Sequence, residues 1–339
     1  MTDVLLPATV IGSWSFPGWY EAFIADVDAN PERYGPLDRE EAVRDAVDVA
    51  VSDQLRVGLD RITDGEMQRV DFNLGFYARL EGIEPLGRER RLGPPAHDQR
   101  DKYRCVARLR APEGLGVVPE FQRFRALCGA PAKVPVPGPF TLAGCLQGGN
   151  VYANRAAITE ALIPIVNAEL RAVVAAGADF IQIDEPSFAC HPDDPEYFLD
   201  VVSRTVEGVH AYTSMHMCFG NYRGRAVGSR SYAPLFPHIG RAKVKQLAFE
   251  FASREMAEVE LLSRLPESMD VAVGLVDVKN TWIEPSGLVA DRIRMVLRHV
   301  AAARVSVTPD CGFSQTARYI AVAKSKALVD GARIVRAVL

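Results

Sequence analysis

The chain has 339 residues, 48% of them hydrophobic and 24% charged, with a formal net charge of −4. That is enough apolar material for one large α/β barrel or two average domains. The acidic balance excludes a protein that works through a broad basic surface on nucleic acid. No run approaches the roughly 18 apolar residues of a membrane span. The N-terminal MTDVLLPATVIGSW has neither the basic start nor the cleavage pattern of a signal peptide. A cytoplasmic protein with no membrane partner is expected. Six cysteines, at 105, 128, 145, 190, 218 and 311, are too scattered for a disulfide framework in such a chain. Cys105, Cys128 and Cys190 read as small buried hydrophobes.

Short apolar runs recur along the chain, each followed by a polar or glycine turn. In order they are Ala8–Trp14, Arg61–Met67, Lys133–Phe140, Ala178–Pro186, Tyr212–Gly220, Lys243–Phe251, Val271–Lys279 and Arg304–Phe313. Between them, residues 39–58, 158–177, 195–209 and 286–303 repeat apolar positions every three to four residues, the spacing of helices. Strands alternating with helices predict a parallel sheet, and eight units predict a (β/α)8 TIM barrel as one domain over 1–339. A doubly wound open sheet is the alternative, but no glycine-rich phosphate loop follows an early strand. Residues 85–118 break the alternation, with several Arg and Pro before the alternating YRCVARLRAP. They predict a β-hairpin insertion after the second unit, either capping the barrel mouth or joining a subunit contact.

In such a barrel the chemistry gathers at the C-terminal ends of the strands. Ionisable residues stand there in Asp64-Gly65-Glu66, Asp184-Glu185-Pro186, His216-Met217-Cys218, Glu250, Asp277-Val278-Lys279 and Asp310-Cys311-Gly312. Desolvating so many ionisable groups is costly unless they are paired or bound to metal. On a strand, positions i and i+2 share a face, so His216 and Cys218 can reach one ion. With Glu250 and Cys311 at later strand ends, the set His216, Cys218, Glu250 and Cys311 suits tetrahedral Zn²⁺, and two thiolates favour zinc over magnesium or calcium. Three anionic ligands over-neutralise the dication, which suits activation of a thiol rather than of water.

These residues also carry a family resemblance. IGS at 11–13, DGE at 64–66, GPFT at 138–141, IDEP at 183–186, HMC at 216–218, Glu250 and PDCG at 309–312 together resemble the catalytic C-terminal barrel of cobalamin-independent methionine synthase. The resemblance covers nearly the whole chain. It implies zinc on His216, Cys218, Glu250 and Cys311. It further implies that Ser13, Glu66 and Asp184 hold the amino-acid part of homocysteine or methionine. Elementary chemistry agrees: carboxylates suit the ammonium group, while Ser13 and the Gly12 turn suit the carboxylate. Glu185, beside Asp184, joins the expected substrate-binding set.

Three departures bear on the methyl donor. The family's full-length enzymes carry a second, N-terminal barrel for polyglutamyl folate, and this chain reads as the catalytic barrel alone. A folate-stacking Trp is replaced at Cys145, in GPFTLAGCLQGG. A proton-donating His on the seventh strand is replaced in Asp277-Val278-Lys279, which leaves Asp277 and Lys279 as the expected catalytic groups there. Methyltetrahydrofolate needs its leaving nitrogen protonated, a task suited to His. A methyl-corrinoid, free or protein-bound, needs no proton. Transfer from a methyl-corrinoid to homocysteine is therefore the expected reaction, with methyltetrahydrofolate the other donor. Arg223, Arg225, Arg230 and Arg241 predict either a solvated loop or an anion site at the mouth. Two further readings remain: a zinc alkyltransferase acting on another small thiol such as coenzyme M, and a metal-free decarboxylase of the tetrapyrrole-decarboxylase superfamily. The oligomeric state, a homo-oligomer included, stays open.

Overall fold

The computed structural model describes residues 4–69, 74–88, 101–186, 188, 193–220 and 230–339. Helices α1 (Gly18–Ala29), α2 (Pro36–Val57) and α3 (Leu74–Tyr77) precede the antiparallel pair β1 (Glu81–Arg88) and β2 (Asp101–Arg110). After α4 (Val117–Leu127) come β3 (Val134–Pro137), α5 (Pro139–Ala143), the short β4 (Leu146–Gln147) and α6 (Arg155–Ala175). The order then runs β5 (Phe180–Asp184), α7 (Pro195–Thr205), β6 (Tyr212–Met217), β7 (Gln246–Glu250), β8 (Asp270–Val276), α8 (Ser286–Val296), β9 (Val305–Pro309) and α9 (Arg318–Arg336).

The main sheet is parallel, in the order β3-β5-β6-β7-β8-β9, so each of its strands pairs with the next of them along the chain. Its strands are buried on both faces, as FIQID of β5 and QLAFE of β7 show. That burial explains the unbroken apolar run of β8, while the polar residues of β5 and β7 are buried against partners, Gln182 on Asp184 and Gln246 on Ser214. Register sets the rim: Asp184 lies opposite His216, and Glu250 opposite Gly274. The predicted helices form, at Pro36–Val57, Arg155–Ala175, Pro195–Thr205 and Ser286–Val296. α2 stops at Gly58, whose φ of 89° is left-handed. Asn154 caps α6 by accepting from the Ala157 N–H at 2.9 Å.

The two earliest runs make isolated bridges rather than strands. Ala8 pairs with Val307 of β9, Thr9 with Arg61, and Ile62 with Ala132, just before β3. The second run cannot extend far, because Gly65 (φ 75°) and Glu66 (φ 57°) turn the chain left-handed at its end. The hairpin is also offset from 85–118. Its arms pair Glu81 with Arg110 and Arg88 with Asp101, while 117–127 are helical. Gly82, Pro85 and Gly87 in its first arm disguised that strand in the sequence. β2 then pairs in parallel with β4. Residues 89–100 of the predicted insertion, and Cys190, lie outside the described residues. Among the described residues, no helix is long and apolar enough to cross a membrane.

Candidate functional site

At the C-terminal end of the sheet, β6 presents His216 and the residue after it but one, Cys218. The turn after β9 presents Cys311. One ligand atom from each lies within 4.8 Å of the others. The two sulfurs are 3.9 Å apart, far beyond the roughly 2.05 Å of a disulfide. His216 Nδ1 is 3.0 Å from Asp184 Oδ1, while buried Nε2 has no hydrogen-bond partner among the described residues. The Asp184 contact fixes the ring and turns Nε2 away from Asp184, where it could serve a metal.

Burial and close contact shift the titratable groups of this cluster in opposite directions. The hydrogen bond from Cys218 draws the Cys311 thiol well below its usual pKa against its burial, with help from His216. Cys218 is pushed the other way, by that same hydrogen bond and by burial. Burial disfavours the charged His216 ring, but Asp184 and Cys311 outweigh it and raise its pKa to about 9. A buried imidazole nitrogen close to two cysteine sulfurs matches the nitrogen–sulfur donor set that zinc takes.

Glu250 ends β7 and is fully buried. It stands outside that three-residue group. Its Oε2 accepts from Lys279 Nζ at 2.6 Å and from the Phe219 N–H at 3.2 Å, and its Oε1 accepts from Ser253 Oγ at 2.9 Å. Burial disfavours a charged Lys279, but Glu250 and Asp310 reverse that and hold its pKa above the usual lysine value. Asp277 is taken up in the local turn, accepting from the Lys279 N–H at 2.7 Å and from Asn280 Nδ2 at 2.5 Å. Both groups expected to be catalytic therefore have structural partners. Asp310 receives the N–H groups of Phe251, Ala252 and Ser253 at 3.0, 2.9 and 2.6 Å, and so shapes the turn that follows Glu250.

The expected amino-acid-binding residues divide. Glu66 is buried beside Gly12, where an added Cβ would fall 2.5 Å from its Oε1. Burial raises its pKa well above normal; Arg69, at 3.2 Å, opposes that, and Asp184 adds to it. A left-handed glutamate costs about 1–2 kcal/mol, a strain often kept at functional sites. Ser13 Oγ accepts from the Ser314 N–H at 3.3 Å, beside the turn that carries Cys311. Asp184 accepts from Gln182 Nε2 at 2.7 Å as well as meeting His216. Glu185 is placed differently from expectation. Its two oxygens accept from the N–H groups of Phe140 and Thr141, each at 2.9 Å, and from Thr141 Oγ1 at 2.7 Å. It therefore anchors the GPFT turn instead of facing a ligand.

Of the loop arginines, Arg230 donates to Ser253 O at 2.8 Å and Arg241 meets Glu196 at 2.8 Å, while Arg223 and Arg225 lie outside the described residues. Cys145 is buried in the apolar core. Sequence reasoning missed Tyr232. Its hydroxyl accepts from the Glu250 N–H at 3.0 Å and lies 3.2 Å from Met217 O, tying β6 to β7 at the site. Nothing in the local sequence marks it, since its partners are backbone atoms of distant strands.

Comparison with known proteins identifies the family. The model of "Cobalamin-independent synthase, Catalytic domain" matches residues 136–334, more than half of the chain. The chain belongs to the cobalamin-independent methionine synthase family. Among relatives of this enzyme family, the methionine synthase of Saccharolobus solfataricus is 31% identical over 333 residues, covering 98% of this chain and 95% of that protein. That of Thermococcus kodakarensis is 32% identical over 335 residues, covering 98% and 94%. A B12-independent methionine synthase from Shewanella sp. W3-18-1, solved in complex with selenomethionine, superposes with a TM-score of 0.84 at 26% identity, covering 98% of each chain.

Proposed function

We propose that this member of the methionine synthase family is a zinc-dependent methyltransferase acting on the thiol of homocysteine to give methionine. The observation that carries the reading is the buried His216–Cys218–Cys311 group, with His216 Nδ1 occupied by Asp184 and Nε2 left over. His216, Cys218 and Cys311 would hold the metal, with Glu250 as the fourth ligand. Zinc there would lower the pKa of a bound thiol and keep the thiolate nucleophilic. Asp184 orients the imidazole. Glu66, paired with Arg69 at 3.2 Å, offers its carboxyl group to the amino group of the substrate. Ser13 and the adjoining backbone offer donors to its carboxylate. The three isolated bridges read best as the joins that close eight strand–helix units into a single TIM barrel over 1–339, with the β1–β2 pair as its insertion.

The donor reading is a methyl-corrinoid. Its support is that Lys279 is held in its charged form by Glu250, which makes it a poor proton donor to a departing folate nitrogen. Family membership favours neither the coenzyme M alkyltransferase nor the metal-free decarboxylase. A donor–acceptor matrix tests the proposal. Zinc-loaded protein would be offered methylcobalamin or methyltetrahydrofolate against homocysteine or coenzyme M. Methionine formed from methylcobalamin is the expected product. Methionine formed only from methyltetrahydrofolate would overturn the donor, and methylation of coenzyme M alone would overturn the acceptor.

A further inference from the structure

Glu250 is the only one of the four zinc-type residues that stands apart from the cluster, and the structure gives the reason. Its carboxylate is anchored on both oxygens, with Lys279 Nζ at 2.6 Å as the one charged partner within hydrogen-bond distance among the described residues. Both side chains are shielded, Glu250 fully and Lys279 to 7% exposure, so their attraction is little screened by solvent. Arg230, at 3.9 Å, is a distant second cation.

Lys279 is itself braced. The Asp277 carboxylate accepts its N–H at 2.7 Å. The Asp277 N–H in turn donates to Glu284 Oε1 at 2.7 Å, and Glu284 is pinned by the buried Lys324 at 2.8 Å. Three carboxylates and two lysines thus fix the turn after β8 so that one ammonium group meets one carboxylate. A solvated lysine would need no such bracing.

We infer that Lys279 is a positioning residue that competes with the metal for the Glu250 carboxylate, and so sets how easily a substrate thiol takes the fourth ligand position. The inference rests on the zinc reading above. Two thiolates and a carboxylate over-neutralise the dication, so one anion must yield when a thiolate arrives. Glu250 is the hard ligand among soft ones. An ammonium group waiting 2.6 Å from it gives the released carboxylate a partner without re-solvation. Asp277 acts in the same device through the backbone of Lys279.

The test is a double-mutant cycle on K279M and E250Q, read by zinc affinity against a chromophoric chelator. A second reading is homocysteine affinity, followed through the visible spectrum of the cobalt(II)-substituted protein. K279M is expected to raise zinc affinity about tenfold without thiol and to weaken homocysteine binding by a similar factor. In the E250Q background, K279M should change neither. Because K279M strands a buried carboxylate and can fail to fold, S253A serves as a second probe. It removes the hydrogen bond to Oε1 and should raise zinc affinity about threefold, again only with Glu250 present. An equal effect of K279M or S253A in both backgrounds would overturn the inference, leaving plain charge repulsion or loop damage. No effect in either background would also overturn it. Wild-type protein that takes up no zinc defeats the underlying reading itself, whereas zinc-binding wild type with unresponsive variants defeats this inference alone.

Discussion

The two sides of the candidate site are built by different means. On the side proposed for metal and thiol, His216 and Glu250 stand at the ends of β6 and β7, where ladder register fixes their heights, Cys218 directly follows β6, and Cys311 stands in the turn after β9. On the amino-acid side, Ser13 and Glu66 stand on turns whose runs make only isolated bridges, one of them with a left-handed glutamate. A sheet supplies rigid placement at no local cost. A strained turn supplies close approach, here Gly12 against Glu66, and must be held by its neighbours. The difference implies that metal binding and amino-acid recognition can be broken separately.

The largest expected effect is on the sheet-borne side. Cys311→Ala should lose zinc and activity together, with activity down by about a thousandfold or more. Full activity at unchanged zinc content would refute the ligand assignment. Asp184→Asn tests the link between the two sides, since Asp184 touches His216 and also acts on Glu66 through space. Zinc affinity should fall about ten- to a hundredfold, measured by chelator competition. Gly12→Ala should leave zinc in place but crowd Glu66, raising the KM for homocysteine about tenfold. A KM unmoved by that change would remove Glu66 from the substrate pocket.

The smallest effect concerns Glu185, which belongs to neither side. Burial, working against its three hydrogen bonds, raises its pKa from the ordinary 4.5 to about 8. A carboxyl raised on folding contributes stability that is full below 4.5 and is lost as pH climbs to about 8. The Tm advantage of wild type over Glu185→Gln should therefore shrink across that window, by about 2 °C or more. A gap that widens with pH would show that the hydrogen bonds, not the burial, control the group. On the thiol side, the raised pKa of His216, about 9, means that zinc must displace a proton. Zinc affinity should climb with pH through that value and beyond it, because the Cys218 thiol, pushed above its usual range, must also lose its proton, with proton release visible by calorimetry in buffers of different ionisation enthalpy.

What the sequence could reveal follows the same division. His216 and Cys218 were legible because strand period alone puts them on one face, and Cys311 because it ends an apolar run. Parallel strands were legible as short, mainly apolar runs recurring between helical stretches. The backbone partners of Glu185 and Asp277 were not, because a carboxylate that receives backbone N–H groups has no mark of it in sequence. Lys279 was read as a stand-in for a histidine at its position. Its ion pair with Glu250 joins β7 to the turn after β8 and has no local signature. The first arm of the hairpin was hidden by its Gly and Pro residues.

The central claim is that these side chains hold a zinc ion whose fourth position passes from a carboxylate to a substrate thiol. Zinc K-edge absorption of the loaded protein, recorded with and without homocysteine, tests it most directly. The account predicts two sulfur neighbours beside nitrogen and oxygen in the thiol-free protein, from Cys218 and Cys311, and three sulfurs with the oxygen gone when homocysteine is bound. A sulfur count that stays the same on adding homocysteine, or zinc ligated without sulfur, would contradict it.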